Sequence, residues 1–210
     1  MLKPDSLIFD MDGTLWDNVD TYADSWNMGL ERTGHDKKVT RADILGLMGK
    51  EARVMLNSIL PGSSTEEQDR LFVEVISAYQ TLLGSMRPKI FDGMHEALEK
   101  LSTRYKLLML SNCEAGGLVN FMKFTNTTHL FADYAEHGQN LKPKSYNLRM
   151  LIERNNLQQP MYIGDTDSDS REATKAGVPF VFVTFGFGET ENYALRFDSL
   201  PELADYFMNL

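Results

Sequence analysis

In the stretch Leu7-Ile8-Phe9-Asp10-Met11-Asp12-Gly13-Thr14, an apolar run passes directly into two carboxylates and a glycine. A short apolar run that ends in a turn signal is typical of a buried strand. Acidic side chains are seldom buried unless they are paired or bind a metal ion. Asp10 and Asp12 therefore require a counter-charge, and we expect that counter-charge to be Mg²⁺.

Other polar groups follow later apolar segments in a fixed order. In open α/β sheets the ligand crevice lies outside the carboxyl ends of the strands, so residues far apart in sequence can converge there. We expect a hydroxyl, a lysine and a further acidic pair to join the first two carboxylates. These groups belong to Ser111-Asn112 after residues 106–110, to Lys142-Pro143, and to Gly164-Asp165-Thr166-Asp167-Ser168-Asp169 after residues 161–163.

The segment after Thr14 changes from strand to helix periodicity. Apolar residues recur there at spacings of three and four, and the same pattern predicts helices over residues 40–47, 51–60 and 64–83. Ser64 and Glu67 stand in capping-box register at the start of the last of these. Four helices without an intervening strand predict an inserted, all-helical cap.

Beyond this insertion, helix and strand patterns alternate as far as the closing helix predicted over residues 200–207. Alternation of this kind indicates a parallel sheet. We therefore predict an α/β fold with a doubly wound, Rossmann-like parallel sheet core formed by residues 1–16 and 88–210. Residues 17–87 form the predicted helical cap domain.

Taken together, the motifs resemble those of the haloacid dehalogenase superfamily, specifically its phosphatases with a helical cap inserted after the first strand. The resemblance covers nearly the whole chain. Within the family, the segment from residue 164 to residue 188 is most similar to the phosphoglycolate phosphatase and pyrophosphatase branch. The matching motifs are Asp10 to Thr14, Ser111-Asn112, Lys142-Pro143, and Gly164 to Asp169 before Ala173 to Gly177.

This resemblance implies a phosphatase that forms an aspartyl-phosphate intermediate. Asp10 would be the nucleophile, and Asp12 would be the general acid and base. Ser111 would donate a hydrogen bond to a phosphoryl oxygen, and Lys142 would supply positive charge. Gly13, Thr14 and Asn112 complete the expected phosphate-binding set.

The resemblance also implies a site for Mg²⁺. Its ligands would be the Asp10 carboxylate, the backbone carbonyl of Asp12 and the Asp165 carboxylate, an oxygen set that suits this cation. Asp169 would hold Lys142 or a metal-bound water, whereas Asp167 is interpreted as a solvated carboxylate at a helix start. Without the cation, such an acidic site would repel a phosphate dianion.

Two loops remain with alternative interpretations. Gly46 to Lys50 lies between two predicted cap helices, and Lys50, together with Arg53 one turn on, is a candidate for recognising a carboxylate or second phosphate of the substrate. The alternative is a solvated lysine. Gly186 and Gly188 after the last predicted strand are interpreted as a turn, because no helix-opening phosphate motif accompanies them.

The amino-acid composition limits the kinds of binding partner that we expect for this protein. The net charge of −9 argues against a broad nucleic-acid or membrane surface. The single cysteine, Cys113, cannot form an intrachain disulfide, and it is interpreted as a small buried residue without a chemical role. We expect a cytoplasmic protein, because the N-terminal residues lack the apolar segment of a secretory signal. We also expect a monomer or a homodimer.

The expected function is Mg²⁺-dependent hydrolysis of a small phosphorylated metabolite, with phosphoglycolate as the leading substrate by resemblance. Inorganic pyrophosphatase activity and a phosphomutase of the β-phosphoglucomutase type are alternatives within enzymes. The alternative to an enzyme is a member of the family that binds phosphate without catalysing a reaction.

Overall fold

The computed structural model describes residues 3–210. These residues divide into two compact units. One unit ends at Trp16 and resumes at Ile90, and the other is Asp17–Lys89. The two passages of the chain between the units are short strands that pair with each other, β2 (Trp16–Asp17) and β3 (Lys89–Ile90). The sequence did not predict these strands, because two residues are too few to display an alternating pattern.

The Asp17–Lys89 unit contains four helices. They are α1 (Val19–Arg32), α2 (Arg41–Leu45), α3 (Ala52–Ile59) and α4 (Thr65–Leu82). Helices α1 and α4 pack closely because Gly29 has no side chain: a Cβ atom there would lie 2.6 Å from Cγ2 of Val75. The Ser64 hydroxyl accepts a hydrogen bond from the Glu67 N–H at the start of α4.

The other unit is built on a six-stranded parallel sheet in the order β5-β4-β1-β6-β7-β8. This confirms the predicted fold class. The last strand was not predicted, because it has only three residues and follows a long loop. The strands are β1 (Ser6–Phe9), β4 (Lys106–Ser111), β5 (Phe131–Glu136), β6 (Pro160–Gly164), β7 (Phe180–Val183) and β8 (Leu195–Phe197).

The described part of this unit also contains six α-helices, the last of which follows β8. None of the helices in residues 3–210 is long and apolar enough to cross a membrane. Buried aliphatic and aromatic side chains from strands and helices form a continuous core, in which Tyr162 is fully buried. The helices are α5 (Met94–Ser102), α6 (Gly117–Phe124), α7 (His137–Asn140), α8 (Lys144–Asn155), α9 (Asp167–Ala176) and α10 (Leu200–Met208).

Strand β1 lies at the point where the winding of the sheet reverses. It pairs with β4 on one side and with β6 on the other, and Phe9 is level with Met109 and with Ile163. Residues just beyond the carboxyl ends of these three strands therefore meet at one edge of the sheet. This edge is the usual place for a ligand in an open α/β sheet.

Candidate active site

The turn after β1 carries the first two carboxylates. The Asp10 N–H donates to the Ile163 carbonyl oxygen at 2.9 Å, and the Asp10 side chain is buried. Gly13 adopts a positive φ of 82°, which permits the tight turn that follows. Asp12 is half-buried, and its Oδ1 accepts a 2.9 Å hydrogen bond from Nε1 of Trp16, which fixes its direction.

The lysine of the site is Lys144. Its Nζ lies 3.1 Å from Oδ1 of Asp10 and 2.7 Å from Oδ1 of Asp169, and all three side chains are buried. Lys144 therefore joins the end of β1 to the start of α9. The sequence analysis missed this residue.

The structure does not bring Lys142 into this cluster, so the position predicted for the site lysine is wrong. Lys142 is exposed, and its Nζ lies 5.9 Å from the centre of the Tyr146 ring. The physical reason is the start of α8, which begins at Lys144 with Pro143 as its N-cap. Helical phase then points Lys144, with Leu148 and Leu151, toward the core.

Asp169 is held by four donors. Its Oδ1 accepts from Lys144 and from the Tyr162 hydroxyl, the latter at 3.0 Å. Its Oδ2 accepts from the Thr166 N–H at 3.1 Å and from the Thr166 hydroxyl at 2.6 Å; the first of these bonds, together with the Asp169 N–H that donates to the Thr166 hydroxyl, forms the capping box of α9. The role that this geometry supports is to hold the lysine, one of the two roles considered for Asp169. Asp167 is exposed and pairs with Arg171.

Asp165 lies fully buried between two glycines. A Cβ atom on Gly13 would be 2.1 Å from Oδ2 of Asp165, and one on Gly186 would be 2.3 Å from its Cβ. The Phe187 N–H donates to Oδ2 at 2.7 Å, and the Thr14 hydroxyl lies 3.5 Å from Oδ1. The residues interpreted as a turn thus also hold Asp165, a role that the sequence analysis missed because it depends on close approach in space.

Ser111 and Asn112 follow the neighbouring strand. Ser111 is the last residue of β4, it is buried, and its Oγ accepts a 3.1 Å hydrogen bond from the Cys113 N–H. Asn112 is half-buried at the start of the next loop. Since β1 and β4 are neighbours in register, Ser111 lies at the same edge of the sheet as Asp10.

The buried charges perturb one another. Burial, together with the neighbouring Asp169 and Asp12 carboxylates, outweighs the opposing Lys144 ammonium and raises the pKa of Asp10 to about 7. Burial also raises the pKa of Asp165 well above its usual range, as do the charges of Asp169 and Asp10. For Lys144, the two carboxylates outweigh the effect of burial and raise its pKa.

The carboxylates fit a hard cation. One oxygen from each of Asp10, Asp165 and Asp169 lies within 4.8 Å of the others. Asp169 is already occupied by its four donors, so Asp10 and Asp165 are the better ligands. An oxygen-only donor set suits Mg²⁺, and the cation would stabilise the ionised form of two carboxyl groups whose pKa is raised by burial and, to a smaller extent, by neighbouring carboxylates.

Known proteins with related sequences match most of this chain and most of their own length. The family model described as haloacid dehalogenase-like hydrolase matches residues 7–183. The phosphoglycolate phosphatase of Agrobacterium fabrum is 28% identical, over 91% of this chain and 85% of its own. That of Aliivibrio fischeri is 24% identical, over 94% of this chain and 90% of its own.

Solved structures show the same fold. A haloacid dehalogenase-like family hydrolase from Streptococcus pneumoniae superposes with a TM-score of 0.85 at 21% identity, covering 99% of this chain and all of its own. A protein described as a predicted phosphoglycolate phosphatase, from Haemophilus somnus, gives a TM-score of 0.85 at 21% identity, covering 98% of this chain and 99% of its own. At these identities the likeness concerns the fold alone.

In the metal-free protein, the stability of Asp10→Asn should rise relative to that of the wild type as the pH increases from about 4 to about 7. The folded state holds the Asp10 proton up to about pH 7, whereas an unperturbed carboxyl group releases it near 3.8. Raising the pH through this window therefore favours unfolding of the wild type, and asparagine abolishes that contribution. Urea unfolding in EDTA measures the difference, and a difference independent of pH would contradict the prediction.

Proposed function

Because this chain belongs to the haloacid dehalogenase-like hydrolases, we propose that it cleaves a small phosphorylated metabolite with Mg²⁺ through a phosphoryl group carried on Asp10. The predicted family and the predicted enzyme class, a phosphatase of this family, are both confirmed. The metal, the intermediate and the substrate are proposals. Their support comes from the geometry of the site and the names of the relatives.

The observation that carries the proposal is the buried cluster of Asp10, Asp165 and Lys144 at the carboxyl end of the central strand. The Asp10 carboxylate has the Lys144 ammonium as its counter-charge and the Asp165 carboxylate as its expected partner in binding the metal. Asp12 lies two residues further on, outside the fully buried group. This arrangement supports Asp10 as the nucleophile and Asp12 as the general acid and base.

In the first half of the reaction, a carboxylate oxygen of Asp10 attacks phosphorus. The bond between phosphorus and the leaving oxygen breaks, and Asp12 gives its proton to that oxygen. The Trp16 indole N–H, which donates to Oδ1 of Asp12, keeps the carboxyl group in one direction during this transfer. Ser111 donates to a phosphoryl oxygen, and Lys144 places its ammonium beside the attacking carboxylate.

In the second half, water attacks the same phosphorus atom. Asp12, now ionised, takes a proton from this water, and the bond between phosphorus and the Asp10 oxygen breaks to release inorganic phosphate. One carboxyl group therefore serves as acid and then as base. A phosphomutase would pass the phosphoryl group to a sugar hydroxyl instead of water.

Mg²⁺ would be held by Asp10 and Asp165, with the Asp12 carbonyl as the third protein ligand that we expect. When bound, the cation neutralises negative charge on the carboxylates and on the transferring phosphoryl group. Gly13 and Gly186 leave room for the Asp165 carboxylate to take up its position. Asp169 remains with Lys144 and acts on the reaction only through that lysine.

Phosphoglycolate is the substrate that we propose first, because two relatives with matching length carry the name phosphoglycolate phosphatase. Inorganic pyrophosphate and sugar phosphates are the competing substrates. No nucleic-acid or membrane partner is part of the proposal. The cytoplasmic location and the monomeric or dimeric state stay predictions.

We expect Asp10→Asn to abolish release of phosphate from the best substrate in a panel of phosphorylated metabolites assayed with and without Mg²⁺. Asparagine retains the shape of the side chain but lacks the nucleophilic oxygen. Asp167→Asn is the matched control, because Asp167 is an exposed acid beside the site with no assigned role, and it should keep wild-type turnover. If Asp10→Asn turned over at a rate close to that of wild type, Asp10 would not be the nucleophile. If the wild-type protein transferred the phosphoryl group to a second hydroxyl without releasing phosphate, it would be a mutase.

For substrate selection we propose Lys50. It is exposed in the turn between α2 and α3, and its N–H donates to the Leu47 carbonyl at 3.2 Å. Arg53, the companion considered with it, is engaged by α4, since its guanidinium contacts Oε1 of Gln68 at 3.0 Å and Oδ1 of Asp69 at 2.6 Å. Lys50 is therefore the better candidate for a negatively charged leaving group.

Lys50→Ala should raise KM for phosphoglycolate while sparing a phosphate ester whose leaving group is neutral, because only the first substrate loses a charge partner. Steady-state kinetics on both substrates measures the difference. Lys38→Ala, at another exposed lysine of the same unit, should change neither. If Lys50→Ala altered both substrates equally, or neither, Lys50 would have no part in selection.

A further inference from the structure

Glu136 is a buried carboxylate that the proposed reaction does not use. It is the last residue of β5, and only 1% of its surface is exposed. Within residues 3–210 it forms no ion pair with a basic side chain. Its carboxylate accepts hydrogen bonds from backbone donors at the start of α6, with the Gly116 N–H 2.6 Å from Oε1 and the Leu118 N–H 3.0 Å from Oε2, and from the Gln139 side-chain amide at 3.2 Å. The first N–H groups of a helix favour such a partner.

The loop that Glu136 contacts is the one that follows Ser111. Gly138 contacts the same loop, since its N–H donates to the Cys113 carbonyl at 3.1 Å. The two backbones are so close here that a Cβ atom on Gly138 would lie 2.1 Å from the nitrogen of Ala115. The loop is therefore fixed at its beginning by Gly138 and at its end by Glu136.

His137, between these two residues, contacts a different loop. Its Nδ1 lies 3.0 Å from the Lys142 carbonyl oxygen, so the tautomer with a proton on Nδ1 donates to this carbonyl. Asn147 also donates to it, at 3.3 Å. Two residues further on, Lys144 begins α8. Glu136, His137 and Gly138 thus bind the Ser111 loop on one side and the Lys144 loop on the other.

We propose that Glu136 is a positioning residue for phosphate binding. It holds the loop of Ser111 and Asn112 in the direction required by a phosphoryl oxygen, and the adjacent His137 keeps that loop in register with the one that supplies Lys144. The inference rests on the proposed function, because it assigns the Ser111 loop to phosphate. It does not depend on the identity of the substrate.

Glu136→Gln tests the proposal, because the amide keeps the size of the side chain but replaces one acceptor oxygen with a donor that faces the backbone N–H groups. We expect the affinity for inorganic phosphate, measured by phosphorus NMR titration in saturating Mg²⁺, to fall by about tenfold or more. Mg²⁺ affinity, measured by calorimetry without phosphate, should stay within about twofold, because Asp10 and Asp165 follow other strands, β1 and β6.

Glu114→Gln is the matched control. Glu114 lies in the same loop, and its side chain accepts no hydrogen bond from the residues that the structure describes, so phosphate affinity should be unchanged. If Glu136→Gln folds and binds phosphate as tightly as wild type, the proposal is overturned and Glu136 only stabilises the fold. Equal losses of phosphate and Mg²⁺ affinity would overturn it as well, because they indicate general disorder of the site.

Gly138→Ala provides a second variant in case Glu136→Gln does not fold. Its added methyl group displaces the loop at Ala115 without removing a charge, and the same selective loss of phosphate affinity is expected. Unchanged phosphate affinity would overturn the proposal. A wild-type protein that binds phosphate but hydrolyses no ester would refute the proposed function alone, because the comparison of variants uses binding only.

Discussion

The ammonium of Lys144, buried between the carboxylates of Asp10 and Asp169, is the interaction on which the rest of the site depends. It joins the end of β1, the start of α8 and the first turn of α9. Removing one partner of a buried ion pair commonly costs about 3–5 kcal/mol, because the remaining charge is left without compensation. The Tyr162 hydroxyl and the Thr166 cap complete the hydrogen bonding of Asp169, so the lysine has one well-defined position.

Backbone groups define the other half of the site. The Asp165 side chain lies so close to residues 13 and 186 that both must be glycine. The Phe187 N–H donates a hydrogen bond that directs the Asp165 carboxylate. Four carboxyl groups, those of Asp10, Asp12, Asp165 and Asp169, meet the Lys144 ammonium at this edge, and burial together with the neighbouring carboxylates raises the pKa of Asp10 and Asp165. A divalent cation would convert this acidic edge into a place where a phosphate group can bind.

The sequence could predict the position of a polar side chain when that residue ends a strand or directly follows one. Alternating patterns predicted the parallel sheet, and Asp10, Ser111 and Asp165 each lie at its carboxyl edge. The lysine was missed because Lys142 matches a family motif, whereas the helical phase of Leu148 and Leu151, extended backwards by one turn, leads to Lys144. The contributions of Tyr162, Gly186 and Glu136 depend on contacts between distant segments, and no local pattern indicates them.

The most direct test of this account compares kcat for Lys144→Met and Lys142→Met, each assayed for phosphate release from the best substrate. Methionine preserves most of the side-chain volume and removes only the charge and its donors. We expect Lys144→Met to lower kcat by roughly 10²–10³-fold, the usual cost of losing one electrostatic donor in an active site. Lys142→Met should remain within about twofold of wild type. A large loss for Lys142→Met, with Lys144→Met close to wild type, would contradict the account.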